Sequence, residues 1–387
     1  MDFLLSEEQL LLRDTIQRFV DQEIIPVAAE LDRNHHPLPR EILFDFYEKL
    51  EPFGYFSCLF PEEQGGLELP YLSFGILMEH LRRGYCSLAG SVGATAATAT
   101  SLAKVATPEQ FEQYVQPVMA GKMICGVGIT EPNAGSNTEA MSTKAVRKGD
   151  RYILNGSKVW ISNGTVADYI IIVANVDEGD GHVTGKGRFI VPTTTPGFSA
   201  SIIPKMGMRS YSSAEIGLAD VEVPVENRLQ EGDGLDATYV LLNAARTQAA
   251  IASVGIGQAA YDIAVQYAKD RQQFGRPIGK FQLVQEHIAE MAMDLDAARL
   301  MTYRAMILVD SNPKCFKECS MAKAFATEAG IRITYRATQV MGAYGISEEY
   351  DAERLYRDAR PFTYLDGTTE IHKLIIGREV LGMGAFV

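Results

Sequence analysis

Cations, thiols and long apolar runs are all scarce in this chain of 387 residues. Its 36 Lys and Arg stand against 49 Asp and Glu, a formal net charge of -13. That deficit argues against nucleic acid or an anionic membrane as a partner. A phosphorylated ligand stays compatible, because backbone amides and a few local cations bind phosphate on an acidic protein. The five cysteines, at 58, 86, 125, 315 and 319, are scattered and odd in number, which suits reduced thiols in a cytosolic-type compartment better than a disulfide framework. Cys315 and Cys319 lie one helical turn apart without a second Cys/His pair nearby, and His35-His36 is equally isolated, so neither reads as a metal site. No apolar run reaches the roughly 20 residues of a membrane span. The N-terminus is acidic and amphipathic, not basic then apolar, and a soluble, cytoplasmic protein is expected. P-loop, G-x-S-x-G and H-E-x-x-H motifs are missing as well, as are internal repeats and low-complexity linkers.

What is present is a chain too long for one small core, with 47% apolar residues, and two or three domains are expected. Its periodicity changes twice, predicting an α+β multidomain protein: a helical domain over 1–123, a β domain over 124–233 (a small barrel or paired sheets) and a helical bundle over 234–387. In the first, Ser6-Glu7-Glu8 opens a helix with Leu10, Leu11, Ile16, Phe19 and Val20 as its buried stripe and Pro26 as its end. Pro39-Arg40-Glu41 opens another, with Ile42, Leu43, Phe46 and Leu50 inward. The small residues from Ser87 to Ala97 suit either close helix packing or a helix lining a ligand cavity. In the β region, Tyr152–Ile161 holds two β-rich runs joined by Asn155-Gly156, a hairpin signal. Tyr169–Val173 reads as a strand buried on both faces, and Arg188–Val191, Glu215–Leu218 and Val221–Pro224 continue the pattern. Helices return with 239–268, a second carrying Ile288, Met291, Leu295, Ala298, Leu300 and Tyr303, a third from Met321 to Met341 and a fourth from Thr368, whose stripe is Ile371, Leu374, Ile375 and Leu381.

Gly255-Ile256-Gly257-Gln258-Ala259-Ala260 fits the loose G-x-G-x-x-A pattern, but lies inside a helical run with no strand before it, so a dinucleotide fold is not supported. Gly128–Asn137 is more informative, since its crowded Thr, Ser, Asn and Gly supply amides and hydroxyls that can bind pyrophosphate or a ring edge without net positive charge. Near the C-terminus, Asp366-Gly367 is a turn dipeptide, with Thr368 or Thr369 able to cap the helix that follows and Arg357 and Arg360 just upstream. By itself it is either an Asx-turn at a surface corner or a general base at the mouth of a site.

The ordered set is specific. Thr130-Glu131-Pro132-x-Ala134-Gly135-Ser136, Asn155-Gly156-x-Lys158-x-Trp160-Ile161-x-Asn163-Gly164, Arg271-Gln272-x-Phe274-Gly275-x-Pro277-Ile278 and Gln339-x-x-Gly342-x-x-Gly345 precede Arg357-Asp358-Ala359 and Asp366-Gly367-Thr368. With Leu5-Ser6-Glu7-Glu8-Gln9 and Pro61-Glu62-Glu63-x-Gly65-Gly66, the chain resembles the acyl-CoA dehydrogenase family over essentially its whole length. The resemblance implies an α-helical domain, a β domain and a C-terminal four-helix bundle, with FAD between them and a homotetramer. It implies an acyl-CoA substrate whose α-proton is taken by a carboxylate while the β-hydrogen leaves as hydride to flavin N5, and an electron-transfer flavoprotein as acceptor. Carried over by position, Ile129 and Thr130 face the flavin, Ser136 the pyrophosphate and CoA side, and Trp160 and Ser162 pack on and bond the flavin. Arg271, Phe274, Gln339, Gly342 and Ala343 hold the adenine and pyrophosphate across a subunit interface, with Thr368 and Glu370 near the cofactor and Arg246 and Gly367 toward the substrate.

The chain departs from the family where Glu usually precedes Gly-Thr, for here the residue is Asp366, preceded by Leu365. The alternative base position, one residue before Arg246, is Ala245, which cannot take a proton. Asp is one methylene shorter than Glu, so its carboxylate retreats by about 1.5 Å. A branched or alicyclic acyl group, cyclohexane-1-carboxyl-CoA for choice, could fill that space. Two alternatives stay open: a flavoenzyme acting on a carrier-protein thioester or a more distant C–C bond, and a non-catalytic flavin or acyl-CoA binder.

Overall fold

The computed structural model describes residues 5–230, 235–312 and 314–385. Ser6 opens α1 (Glu7–Phe19) with a reciprocal cap: its hydroxyl accepts from the Gln9 N–H, and the Gln9 side chain accepts from the Ser6 N–H, satisfying donors that a helix start leaves free. Ile16 and Val20 are buried as expected, but Leu10 and Leu11 face solvent. An amphipathic period sets which residues share a face, not how far another element covers it. Pro26 does not end the helix. A π turn at Val20–Ile24 leads into α2 (Ile25–Asn34), and Pro26 falls in its first turn, where a missing N–H removes no bond.

Helix α3 (Arg40–Leu50) buries Leu43, Phe46 and Leu50, while α4 (Tyr71–Gly84) and α5 (Cys86–Ala103) are buried on almost every side. The small residues of α5 serve close packing. A Cβ on Gly90 would meet Met208 Cε at 2.9 Å and the Tyr211 ring at 3.1 Å, and one on Gly93 would meet Met78 Cε at 3.0 Å. Two short helices, α6 (Pro108–Gln110) and α7 (Gln116–Met119), close this region.

Seven strands then form one continuous curled sheet: β1 (Cys125–Gly128), β2 (Lys144–Lys148), β3 (Arg151–Ser162), β4 (Tyr169–Asp177), β5 (Val183–Pro192), β6 (Phe198–Ile202) and β7 (Ser213–Pro224). The order is β1-β4-β2-β3-β7-β6, with β5 also paired to β4. β4 is buried on both faces along its first half, as its unbroken apolar run predicts. Asn155-Gly156 is not a hairpin turn. β3 runs straight through it, and the pairing with β7 shifts register between Leu154 and Gly156, so the dipeptide makes a bulge. Asn155 exchanges two hydrogen bonds with Asp220 across it, at 3.0 and 2.9 Å. The tight turn lies earlier, at Gly149-Asp150, between paired Lys148 and Arg151.

A buried ion pair ties the loop after β1 to β3. Lys158 Nζ donates to Glu131 Oε1 at 2.8 Å and to the Ile129 carbonyl at 3.0 Å. Glu131 also accepts from the Ser142 N–H, the Ser142 hydroxyl and the Thr143 N–H. Burial alone would raise the Glu131 pKa, but Lys158, Thr143 and Ser142 outweigh it and hold the carboxyl down to about 2. Burial pulls the Lys158 pKa down, against the attraction of Glu131.

The remaining chain is helical: α8 (Leu235–Asp270), a two-residue ladder of β8 (Gln272–Gln273) and β9 (Arg276–Pro277), α9 (Gln282–Ser311), α10 (Phe316–Met341), α11 (Ala352–Ala359) and α12 (Thr369–Leu381). Gly255, from the rejected dinucleotide pattern, has a packing role. A Cβ there would run into the Glu79 carbonyl and come within 2.8 Å of Arg82 Cβ, so α8 touches α4 at this point only because the position is bare. Three residues expected inside lie largely outside: Leu300, Leu374 and Leu381 are 39%, 53% and 66% exposed, so their stripes outrun what one chain covers.

Gly255→Ala should therefore force α4 and α8 apart and cost about 1–3 kcal/mol, read as a lower urea midpoint at unchanged slope. Lys158→Met should cost about 3–5 kcal/mol near pH 7, because Glu131 is left charged, buried and unpaired. The Glu131 contribution exists above the ordinary carboxylate range and fades as pH falls toward 2. The penalty measured by denaturation should accordingly shrink between pH 7 and pH 3.

Candidate functional site

Asp366 lies on a loop whose backbone is held in an unusual shape. Asp366 and Gly367 take φ of 54° and 99°, left-handed values that Asp tolerates and Gly adopts freely. Thr368 then caps α12, its hydroxyl accepting from the Ile371 N–H at 3.3 Å. His372 Nε2 approaches the Asp366 carbonyl at 3.2 Å, and a carbonyl can only accept, so the ring presents its N–H there. Burial keeps His372 neutral, with a pKa lowered to about 4. Lys323, fully buried on α10, donates to the Thr363 carbonyl at 3.2 Å and the Gly367 carbonyl at 2.5 Å.

The Asp366 side chain is exposed in this chain, while the protein packed around its carboxyl group raises the pKa to about 6, with Lys323, Arg82 and Arg246 pulling the other way. Arg82 (α4) and Arg246 (α8) are both more than nine-tenths buried. Arg82 Nη1 donates to the Cys86 carbonyl at 3.0 Å, and Arg246 Nη1 to Asn243 Oδ1 at 3.0 Å. Among the described residues the Nε of each has no partner. Arg357, expected beside the turn, instead pairs with Asp32 and Glu353. Ala245 carries no acid, so within this group the carboxylate is that of Asp366.

The β domain supplies a facing surface. Thr130 accepts from the Val159 N–H at 2.9 Å, which lays Ile129 and Thr130 alongside Trp160. Trp160 is 58% exposed with φ of 63°. A large ring turned to solvent on strained backbone points to a binding role, since nothing in folding alone favours it. Ser162 ends the same strand beside Tyr211, whose hydroxyl feels the charges of Arg82 and Asp366. The structure thus brings Ser162, Arg246, Asp366 and Gly367 into one neighbourhood, with Thr368 and Glu370 on the adjoining helix start. Ser136 is exposed beyond the tight turn at Glu131–Ala134.

Arg271, Phe274, Gln339, Gly342 and Ala343 form a second, separate group. The Arg271 guanidinium lies 5.8 Å from the centre of the Tyr344 ring, next to Gly342 and Ala343. Phe274 is 87% exposed with φ of 53°, and Gln339 is exposed one turn before Gly342. Arg271 follows α8, whereas Arg246 is about twenty-five residues earlier, roughly 37 Å along the helix. One chain does not bring the two groups together.

Lys323, Arg82 and Tyr211 were not singled out in the sequence. A signal existed for Lys323: Cys319, Lys323, Ala326, Gly330 and Ile333 share the buried face of α10, and a lysine in such a row is unusual. Arg82 and Tyr211 carry no comparable local mark.

Family models match the chain in three consecutive blocks: acyl-CoA dehydrogenase N-terminal domain over residues 6–122, middle domain over 126–221 and C-terminal domain over 232–381. The short-chain specific acyl-CoA dehydrogenase of Bos taurus is 36% identical, over 97% of this chain and 91% of its own. The caffeyl-CoA reductase-Etf complex subunit CarC of Acetobacterium woodii is also 36% identical, over 97% of this chain and 99% of its own. A glutaryl-CoA dehydrogenase from Mycobacterium smegmatis, solved in complex with FADH2, superposes with a TM-score of 0.91 at 27% identity, over 99% of this chain and 97% of its own. Matched domain by domain along nearly its full length, the chain belongs to the acyl-CoA dehydrogenase family of FAD-dependent oxidoreductases.

Proposed function

We propose that the protein dehydrogenates a branched or alicyclic acyl-CoA between Cα and Cβ, with Asp366 as the base that removes the α-proton. The observation carrying this reading is the setting of Asp366: a carboxylate beside Lys323, Arg82 and Arg246, its pKa raised to about 6 by the surrounding protein, held in left-handed backbone at a helix start. Near neutral pH it is ionised, yet close enough to the working pH to accept a proton readily.

The residues present fit FAD. Trp160 offers a flat exposed ring, and Thr130, Ser136 and Ser162 offer hydroxyls, a donor set suited to a polar aromatic ring system and its pyrophosphate. When bound, FAD supplies the acceptor for the hydride that leaves Cβ. The chain's own residues do the rest. Asp366 takes the α-proton onto its carboxylate and becomes neutral. Negative charge then grows on the thioester oxygen, and Lys323, Arg82 and Arg246, the fixed cations around Asp366, favour it without reorganising. Arg271, Phe274, Gln339, Gly342 and Ala343 lie too far along the bundle to join this site from the same chain. We infer that they complete the cofactor site of a neighbouring subunit in a homotetramer, and that an electron-transfer flavoprotein takes the electrons.

The names of the relatives include short-chain, caffeyl and glutaryl acyl groups, so the resemblance leaves this chain's acyl group open. A Cβ on Gly90 or Gly93 would already meet neighbouring side chains, so these two positions of α5 offer an acyl group no extra room. Support for a bulky acyl group therefore rests on the missing methylene of Asp366. Anaerobic bleaching of bound FAD by a panel of acyl-CoAs tests it: cyclohexane-1-carboxyl-CoA or an α-branched thioester should react fastest, and clear superiority of butyryl- or octanoyl-CoA would overturn the choice. Asp366→Glu should shift preference toward straight chains. Asp366→Asn should lower turnover by about 10³-fold or more, and undiminished turnover would refute the base. For the parent enzyme, kcat/KM should rise with pH through about 6 as Asp366 ionises, then level off.

A further inference from the structure

We infer that Lys323 is the positioning residue of the base loop: its ammonium tethers both flanks of Asp366 and so fixes how far the short carboxylate reaches. This rests on the reading of Asp366 as the base. Lys323 is fully buried in the middle of a helix, where a lysine needs a strong reason to be. Among the described residues it forms no ion pair with a carboxylate. Its two bonds go to main-chain carbonyls, Thr363 three residues before Asp366 and Gly367 one residue after, at 3.2 and 2.5 Å. The loop they close contains the left-handed Asp366-Gly367 pair, a conformation that persists only when its surroundings hold it. His372 makes a second tie at the Asp366 carbonyl, and Thr369 bonds Glu328 at 2.8 Å on the far side. The Thr369 hydroxyl also reaches the Thr363 carbonyl, at 3.3 Å, so Lys323 is the charged one of two side chains that join the loop's ends.

The tether also carries charge. Lys323 faces Asp366, Glu328 and Glu370, all of which favour its protonated form, while burial lowers its pKa to about 8. Around Asp366 the charged or titratable neighbours are Lys323 from α10, Arg82 from α4, Arg246 from α8, His372 from α12 and Tyr211 from the segment before β7. Lys323 is thus the cation that both shapes the loop and favours the ionised base. A family Glu can bend its longer side chain to recover a misplaced loop, whereas Asp366 has one rotatable bond fewer with which to do so.

Two variants separate the geometric from the electrostatic part. Lys323→Met keeps the length and removes the donor and the charge. Lys323→Gln keeps a donor for one carbonyl and removes the charge. In the FAD-loaded enzyme with its best acyl-CoA, Lys323→Met should lose kcat by roughly 10²-fold, the scale of an ångström misplacement of a catalytic group. Its KM should stay within about threefold of the parent value, since uniform binding is untouched. Amide hydrogen exchange should quicken at residues 363–368 and not elsewhere. Lys323→Gln should keep more of the plateau rate, while the acid limb of its kcat/KM profile moves to higher pH because a cation beside Asp366 is gone. The inference is overturned if Lys323→Met matches the parent in kcat and loop exchange, or if exchange quickens throughout the protein with KM rising alongside. Should Lys323→Met fail to fold, an acid limb at the parent pH together with unchanged loop exchange in Lys323→Gln overturns it. If Asp366→Asn keeps full turnover, the base assignment fails by that result alone, and loop exchange still reports on the tether.

Discussion

One buried charge cluster sets the relative position of everything that matters in this molecule. Asp358 at the end of α11 accepts from the Met208 N–H at 2.5 Å, and Arg357 beside it pairs with Asp32 of α2 at 3.1 Å and donates to the Met206 carbonyl. Three stretches distant in sequence are thereby joined: an N-terminal helix, the loop before β7 and the helix that leads to the base loop. Asp358 precedes Asp366 by eight residues, and Met208 precedes Tyr211 by three, so the cluster decides how Asp366 faces the β domain. Burial, and then Asp32, push the Asp358 pKa up to about 6, against Arg354 and Arg357. Such a group is weak as a source of stability, because desolvation offsets much of the attraction, but removing one member strands another charge. Its value here is registry between domains.

Trp160, Phe274 and Asp366 are among seven residues other than glycine that take positive φ among the described residues, and all three lie on stretches marked as motifs in the sequence. Phe274 shares its left-handed conformation with Gly275 in an ordinary two-residue hairpin turn between β8 and β9, whereas Trp160 and Asp366 are held there by their surroundings. For Trp160 the imposing element is the β3–β7 ladder, which shifts register between Lys158 and Ile161 and turns the ring outward. For Asp366 it is the set of ties from Lys323, His372 and Thr368. Strain of this kind costs of order 1–3 kcal/mol per residue, and it persists because the rest of the fold over-determines it.

The main helical segments, the doubly buried β4 and the rejection of the dinucleotide pattern were legible in the sequence, since each rests on periodicity or on context within a dozen residues. Asn155-Gly156 misled because its local hairpin preference was outweighed by a longer partner, β7, that no local rule can see. Pro26 misled because a π turn let the chain stay helical past it. The stripes at Leu10, Leu300, Leu374 and Leu381 were read with the correct period, but period does not reveal whether the covering surface belongs to the same chain. Of the candidate site, Asp366 and Trp160 were singled out through their motifs and Arg246 through the family resemblance. Lys323 and Arg82 were not, because a cation in a buried row gains its meaning only from the backbone carbonyls and carboxylate that folding brings to it.

The length of Asp366 then becomes a question about where a missing methylene goes. A Cβ on Gly90 or Gly93 would already meet Met208, Tyr211 or Met78, so α5 is closely packed there. The loop itself is tied at Thr363, Asp366 and Gly367, so it has little freedom to advance. With Asp366 as the base we propose, the gap of about 1.5 Å falls to the ligand, and an acyl group substituted at or beside its α-carbon is the kind we propose to bring bulk to that point. On that reading the acyl group, more than the protein, is the adjustable part.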